Sequence, residues 1–503
     1  MLRSSTDHHI LRRCLMLAAI FIVALGLATG SLTLVRSLPT TRLATQVTKA
    51  SQLLMDEQPY DSPLSRALGF SFTNYPWSRD NGTDSTMLSV MLPQSGSALH
   101  SAMDNQWAQL TDPYQPRSYP QQAIPSLTAR LTGMRPVQSE SYARYWHGYQ
   151  VITQPLLRVM SYAQTRVLNA VLLTLCLIAT VIVIARFVSR TVALAFLVIL
   201  ALAGTYIVPL SWQFVAVSYL ALVGIVAVVL LGRTREWSRF DLELFFILGI
   251  VTVFFDFLTI PLITLGLPLL MVLAMMWREH ARHASFGKAS RRETLRASSA
   301  WVGGYALFWF AKWAIASVLL KQNVIRNAIE QIFLRGGSQS GSASSMASNT
   351  THSSLLSAIG MRIEAPLKNL AALIPGPATT TGLVVRGAIA VALIVLAFAI
   401  WFILRSKRRS KNVDRNPVGP ASSFLIVAAF PLVWYFVLAN HSIQNYYFTY
   451  RLLTITLFGV ALFFICTLAP ATDPGTATDT KTGADPDLSQ QAESAPATKA
   501  SRE

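Results

Sequence analysis

The chain has 503 residues, 52% of them hydrophobic and 13% charged, with a formal charge of +18 at pH 7. Soluble domains carry about 25% charged residues, and the deficit here accompanies repeated apolar runs of about 17 to 23 residues, which excludes a water-solvated globular class and makes lipid the solvent of most of the chain. The positive charge does not indicate nucleic acid: no basic stripe with interleaved aromatics occurs, and the excess Lys and Arg sit in short loops between apolar runs, as in cytoplasmic loops of membrane proteins.

Cys14, Cys176 and Cys466 each fall inside an apolar run, so neither a disulfide framework in the loops nor a Cys-x-x-Cys metal site is expected. Residues 1–13 are basic and read as a cytoplasmic N-terminus. The apolar run that follows, Cys14 to Val35 in the segment 14–36, is about 22 residues, longer than a signal-peptide core, and is read as an uncleaved first transmembrane helix. Residues 37–165 contain no spanning run and form an extracytoplasmic first loop. Thr40 to Leu54 and Ser97 to Leu110 have helical spacing, while Pro113, Pro116, Pro120 and Pro125 predict irregular structure. Glu140 to Tyr162, with Tyr142, Tyr145, Trp146 and Tyr149, reads as a helix lying in the membrane interface, where amphipathic rings are favoured.

Transmembrane helices 2–7 occupy 166–320: Val167 to Ala185, Val192 to Val208, Phe214 to Leu231, Leu244 to Leu258, Leu262 to Trp277 and Trp301 to Leu320. The fourth and fifth of these are short, and a partly re-entrant hairpin stays open there. A second extracytoplasmic loop, 321–382, has a low-complexity centre, GGSQSGSASSMASNTTHSS, flanked by amphipathic stretches at Asn323 to Leu334 and Leu355 to Leu373. Helices 8–10 occupy 383–470: Leu383 to Leu404, Phe424 to Leu438 and Leu452 to Leu468. The tail 471–503 has no apolar period and is expected to be disordered and cytoplasmic. The predicted fold class is therefore all-α: a polytopic transmembrane helical bundle of about ten spans in a cell membrane, both termini cytoplasmic, whose first outer loop holds short interfacial helices. Lys and Arg support it, because they crowd every inside loop and are absent from the outer turns at 209–213 and 257–261.

Ionisable groups inside a bilayer cost at least about 2.5 kcal/mol each, so they tend to be paired or functional. The topology puts several at one depth near the outer face. Asp80 and Asp84, in RDNGTD, are either turn residues or a catalytic acidic pair, able to act as general base or to hold one divalent cation through oxygen ligands. Arg144, His147, Asp256, Asn440, His441 and Arg451 are candidate substrate-binding residues. Three of them have a bland alternative: His147 as an interfacial ring, Asp256 as the ion-pair partner of Lys312 or Arg144, Arg451 as a snorkelling cation. No P-loop, His-Glu-x-x-His or Gly-x-Ser-x-Gly motif occurs, and no metal is assigned.

One span, a large acidic outer loop, an aromatic interfacial segment and then many short-looped spans together resemble the C-type (GT-C) membrane glycosyltransferases. Arg144 to Met160, RYWHGYQVITQPLLRVM, is similar to the aromatic, Pro- and Leu-containing pattern that often closes their first loop. Asn445 to Leu457, NYYFTYRLLTITL, is similar to the entry of a late span there. The chain also resembles bacterial multi-pass membrane proteins that carry DNxTD, RYWHGY and NHS…FTYR segments. The resemblance implies transfer of a sugar from a polyprenyl-phosphate donor to a cell-envelope acceptor, with membrane lipid and a lipid-linked sugar as partners. In that superfamily the catalytic acid commonly follows the first span closely, which fits Asp56-Glu57 better than Asp80 and Asp84. A transporter or flippase of a lipid-linked or polysaccharide precursor, and a non-catalytic envelope-assembly subunit, stay open beside it.

Overall fold

A computed structural model describes residues 2–63, 67, 77–111, 119–233, 237–280, 286–337, 355–376, 379–409 and 418–468. The described chain is almost entirely helical. Six of its helices are long and apolar enough to cross a membrane, and two shorter apolar stretches, Arg190–Leu202 and Ala421–Val437, accompany them. The Ser71 to Pro76 segment, the low-complexity centre of the second loop and the tail from Thr472 lie outside the described residues.

Helix α1 (Leu2–Ser37) is followed by the amphipathic α2 (Thr41–Glu57), close to the predicted Thr40 to Leu54. A two-residue ribbon pairs β1 (Tyr60–Asp61) with β2 (Arg79–Asp80). Then come α3 (Asn81–Met91), α4 (Ala98–Asp104), β3 (Trp107–Leu110), α5 (Tyr119–Thr132), β4 (Val137–Glu140) and α6 (Gln150–Val159). These elements form a cap on one end of the bundle.

Three expectations are corrected in this cap. Helix does not run from Ser97 to Leu110: Asn105 takes the left-handed conformation (φ 52°) that closes α4, and Trp107–Leu110 pair antiparallel with Val137–Glu140. Pro120 and Pro125 do not break the chain but lie in α5; Pro120 occupies the first turn, where a missing N–H costs nothing. The aromatic segment is not one interfacial helix. Only Gln150–Val159 is helical, and Tyr145, Trp146 and Tyr149 turn inward. The Trp146 indole donates to the Phe308 carbonyl at 3.1 Å and stacks on its ring at 4.8 Å.

The bundle comprises α7 (Tyr162–Phe187), α8 (Arg190–Leu202), a 3₁₀ turn (Thr205–Leu210), α9 (Trp212–Gly232), α10 (Trp237–Phe255), α11 (Ile263–His280) and α12 (Phe286–Leu320). Two further helices, α13 (Val324–Gly336) and α14 (Leu355–Ala372), match the amphipathic flanks of the second loop. The chain continues with α15 (Thr380–Arg409), α16 (Val418–Ala428), α17 (Phe430–Val437), short helices α18 (Ala439–Gln444) and α19 (Tyr446–Thr449), a 3₁₀ turn (Tyr450–Leu452) and α20 (Leu453–Leu468). The run Phe424 to Leu438 is split between α16 and α17 at Ala429, because Pro431 cannot continue a helix begun before it.

Up to Trp277 helix α11 is apolar on nearly all sides, and every residue from Ile263 to Met275 is buried, as expected of a helix surrounded by others. Helices α10 and α12 run parallel, with Asp241 paired to Arg296 at one end (2.9 Å). Gly249 and Gly304 let their backbones meet: a Cβ at Gly304 would stand 2.2 Å from the Phe246 carbonyl oxygen. Small residues give membrane helices this close approach.

Candidate functional site

The cap buries every residue of α3, although its sequence NGTDSTMLSVM is largely polar. Burial is tolerated because the polar groups are used locally. Asp80 caps the helix, its carboxylate accepting from the Thr83 amide (2.9 Å) and hydroxyl (2.7 Å). Ser85 and Thr86 donate back to the Asn81 and Gly82 carbonyls, and the Ser89 hydroxyl accepts the Ala108 amide. The turn reading of DNGT therefore holds as a helix start.

Asp84 faces the first turn of α9. It accepts from the Trp212 amide (3.1 Å), the Gln213 amide (3.3 Å) and the Tyr162 hydroxyl (2.5 Å); free amides at a helix N-terminus suit an anion. The Arg166 guanidinium then ties three elements together. It donates to the Tyr162 hydroxyl, to Asn81 and to Glu57, each at 2.7 Å. Glu57 also takes Arg79 at 2.8 Å, and Arg79 pairs with Asp61. Ser211, at the start of α9, accepts the Asp80 amide at 2.9 Å.

Arg451 lies beside this network, 2% exposed, with its guanidinium 4.4 Å from the Phe214 ring centre and 4.9 Å from that of Tyr450. Among the described residues, Glu57 and Asp61 pair with Arg79 or Arg166, while Asp80 and Asp84 feel Arg451 and Arg166 only through space. For Asp80 the cation is the smallest of the influences on its charge. Burial pushes its pKa up to about 7, with the nearby Asp84 charge adding, against the Thr83 hydrogen bonds and Arg451. Burial raises Asp84 as well, opposed by Arg166, Tyr162 and the two amides.

A cavity of about 570 Å³ opens next to Arg451. Its walls are apolar side chains of α7, α8, α9 and α11, among them Leu173, Leu177, Phe196, Leu200, Leu222 and Leu267, and its polar end is made by Thr205, Tyr206, Arg451 and Thr454. Leu197 and Tyr206, both exposed, mark where it reaches the outer surface of the helices.

The structure thus gathers Asp80, Asp84 and Arg451, and sends the other five candidates elsewhere. Arg144 donates to Asn327 at 2.7 Å and lies over Tyr142. His147 is buried among the rings of Tyr142, Tyr149 and Phe257 with a left-handed backbone (φ 57°), and burial, with Lys312 adding, holds its pKa well below the ordinary value. The expected Asp256 ion pair is absent among the described residues. Asp256 instead caps the turn after α10, accepting the Leu258 amide (2.9 Å), the Thr259 amide and the Thr259 hydroxyl. Lys312 donates to the Met103 carbonyl at 2.7 Å. Asn440 donates to the Leu334 carbonyl (2.9 Å), and the His441 ring meets the Leu258 carbonyl (3.1 Å). Burial, with Arg335 adding, pushes His441 down to about 3, so it is neutral in the folded chain. Arg144 and Asn440 fasten the cap and α18 to α13, while His147, Asp256 and His441 meet at the turn after α10.

Sequence reasoning missed Tyr162, Arg166 and Ser211. Tyr162 and Arg166 are four apart at the head of a span, so they share a helix face, which was the available signal. No group of three or more His, Cys, Asp or Glu among the described residues is arranged to hold a metal ion. No family model, curated protein or solved structure matches this chain.

Proposed function

We propose that the chain is a membrane-embedded glycosyltransferase that moves a sugar from a polyprenyl-phosphate-linked donor to a cell-envelope acceptor at the outer face. The observation that supports this reading is the apolar cavity of about 570 Å³ whose polar lining includes Arg451, the cation whose charge acts on the buried Asp80. A hydrocarbon chain fits such walls, and a guanidinium fork suits phosphate oxygens.

In this reading the acceptor hydroxyl oxygen attacks the anomeric carbon, and the bond from that carbon to the donor phosphate oxygen breaks. The hydroxyl proton passes to Asp80, whose raised pKa suits a general base near neutrality. The departing lipid phosphate keeps the electron pair and is met by Arg451. Asp84, filled by Tyr162 and the α9 amides, is a positioning residue and not a second base. The bundle is read as ten spans: α1, α7, α8 with its 3₁₀ turn, α9, α10, α11, α12, α15, α16 with α17, and α20, with both termini cytoplasmic and the cap outside.

The test uses the full chain in vesicles containing a polyprenyl-phosphate sugar and reads release of the unloaded lipid phosphate. Wild type releases it, Asp80→Asn loses release yet still binds the lipid, and Arg451→Gln loses binding. Binding by wild type with no release under any acceptor would favour the carrier reading, and no binding would end both.

A further inference from the structure

We infer that α13 and α14 lie in the lipid headgroup and upper acyl layer on the membrane face that carries the cap, so that the partner of these two helices is lipid and not water or protein. This inference rests on the membrane placement of the bundle alone and is independent of the transferase reading.

Each helix presents three sectors. On α13, Val324 and Ala328 are buried against the bundle, and Arg335 reaches the Tyr145 hydroxyl at 2.5 Å. A polar sector carries Arg326 and Glu330, exposed and paired at 2.9 Å. Between them Ile329, Ile332 and Phe333 form an exposed apolar sector of about 100° at 3.6 residues per turn, and Ile332 is 48% and Phe333 53% exposed. Helix α14 repeats the arrangement. Ala365 and Asn369 are buried, Glu364 is exposed and lies within 3.9 Å of Lys368, and Ile359, Ile363 and Leu367 form the exposed apolar sector, Ile363 being 57% exposed.

Two contacts join these sectors to the lipid-facing surface of the bundle. A Cβ on Gly336, at the end of α13, would lie 3.3 Å from the Val437 carbonyl at the end of α17. The Arg362 guanidinium of α14 lies 5.5 Å from the Phe436 ring centre on α17. Phe436 and Val433 are themselves exposed, in the shorter apolar stretch Ala421–Val437. The apolar side of α17 therefore meets α13 through Gly336, and α14 flanks it with Arg362 laid over the Phe436 ring, as a cation at the edge of an interfacial apolar surface would lie. A helix with an apolar sector beside a charged one settles with its apolar side about 5–10 Å into the headgroup and acyl boundary.

The experiment places single cysteines in the full chain after Cys14, Cys176 and Cys466 are changed to Ser. Ile332→Cys and Ile363→Cys report the apolar sectors, and Arg326→Cys and Glu364→Cys report the polar ones on the same helices. Each carries an environment-sensitive fluorophore, in nanodiscs of phosphatidylcholine and phosphatidylglycerol holding one copy of the chain. Shallow doxyl lipid should quench the probes at 332 and 363 at least about threefold more than those at 326 and 364, with iodide showing the reverse order. Equal iodide quenching at all four positions in these discs overturns the inference. Shielding at 332 and 363 that arises only when discs hold two copies also overturns it, and makes a second chain the occupant.

Discussion

Asp80→Asn isolates the titration of the buried acid. Asn is as good a helix cap as Asp, so the bond from the Thr83 amide survives while the ionisable group is removed. In the wild type the folded-state pKa of about 7 stands above the ordinary 3.8. A carboxyl whose folded pKa is raised is more easily ionised in the unfolded chain. Its contribution is therefore most favourable below about pH 4 and is lost as pH rises to about 7. Integrating the two titrations between pH 5 and pH 8 gives roughly 2–3 kcal/mol of stability lost by the wild type on going alkaline. The variant should lack this component. The assay is thermal unfolding of detergent-solubilised protein at pH 5 and pH 8, scored as the difference between the two proteins at each pH. The wild type should lose more stability than Asp80→Asn between the two values. Parallel pH profiles would refute the reasoning and mean that Asp80 is solvated or fully compensated.

Arg166→Gln removes the cation from Glu57 and from the Tyr162–Asp84 pair at once and should cost about 3–5 kcal/mol, as breaking a buried pair does, seen as a large fall in melting temperature; an unchanged melting point would mean that water or another cation replaces it. Gly304→Ala forces α10 and α12 apart and should destabilise by about 1–3 kcal/mol, whereas Gly303→Ala, whose Cβ would meet only the Phe246 ring edge at 4.0 Å, should be near neutral in the same thermal assay. Ala170→Trp fills part of the cavity wall and should weaken binding of a polyprenyl phosphate about tenfold or more without lowering the melting point, about 1.4 kcal/mol of affinity; unchanged affinity measured by titration would place the lipid elsewhere.

The spanning helices were legible because the evidence for them is local. Val167 to Ala185 and Phe214 to Leu231 are uncharged, mostly apolar runs, and they appear within α7 (Tyr162–Phe187) and α9 (Trp212–Gly232). The amphipathic flanks of the second loop were legible for the same reason. The β3–β4 ribbon was not, since two four-residue strands 27 residues apart carry no period that distinguishes them from helix or loop. Tyr145 and Trp146 were misplaced because a ring in the membrane interface and a ring packed under a cap have the same one-dimensional signature. Burial of Trp146 depends on Phe308, 162 residues away. The candidate site was half legible. DNGT announced a cap, and Arg451 stood out as a charge among aromatics. That Asp84 would be filled by Tyr162 and the α9 amides follows from contacts spanning 78 to 129 residues. Neither the substrate-binding role nor the ion pair that the sequence suggests for Asp256 foresees its cap, since the two turn amides and the hydroxyl that satisfy it, from Leu258 and Thr259, cannot be told from ordinary loop residues by sequence.

The most direct test of the central claim is mass spectrometry of the full chain released from nanodiscs loaded with polyprenyl phosphate, comparing wild type, Arg451→Gln and Arg144→Gln. The account predicts a retained lipid phosphate on wild type and on Arg144→Gln, because Arg144 points to Asn327 and away from the cavity, and its loss on Arg451→Gln. Retention on Arg451→Gln equal to wild type, or loss on Arg144→Gln alone, would contradict it.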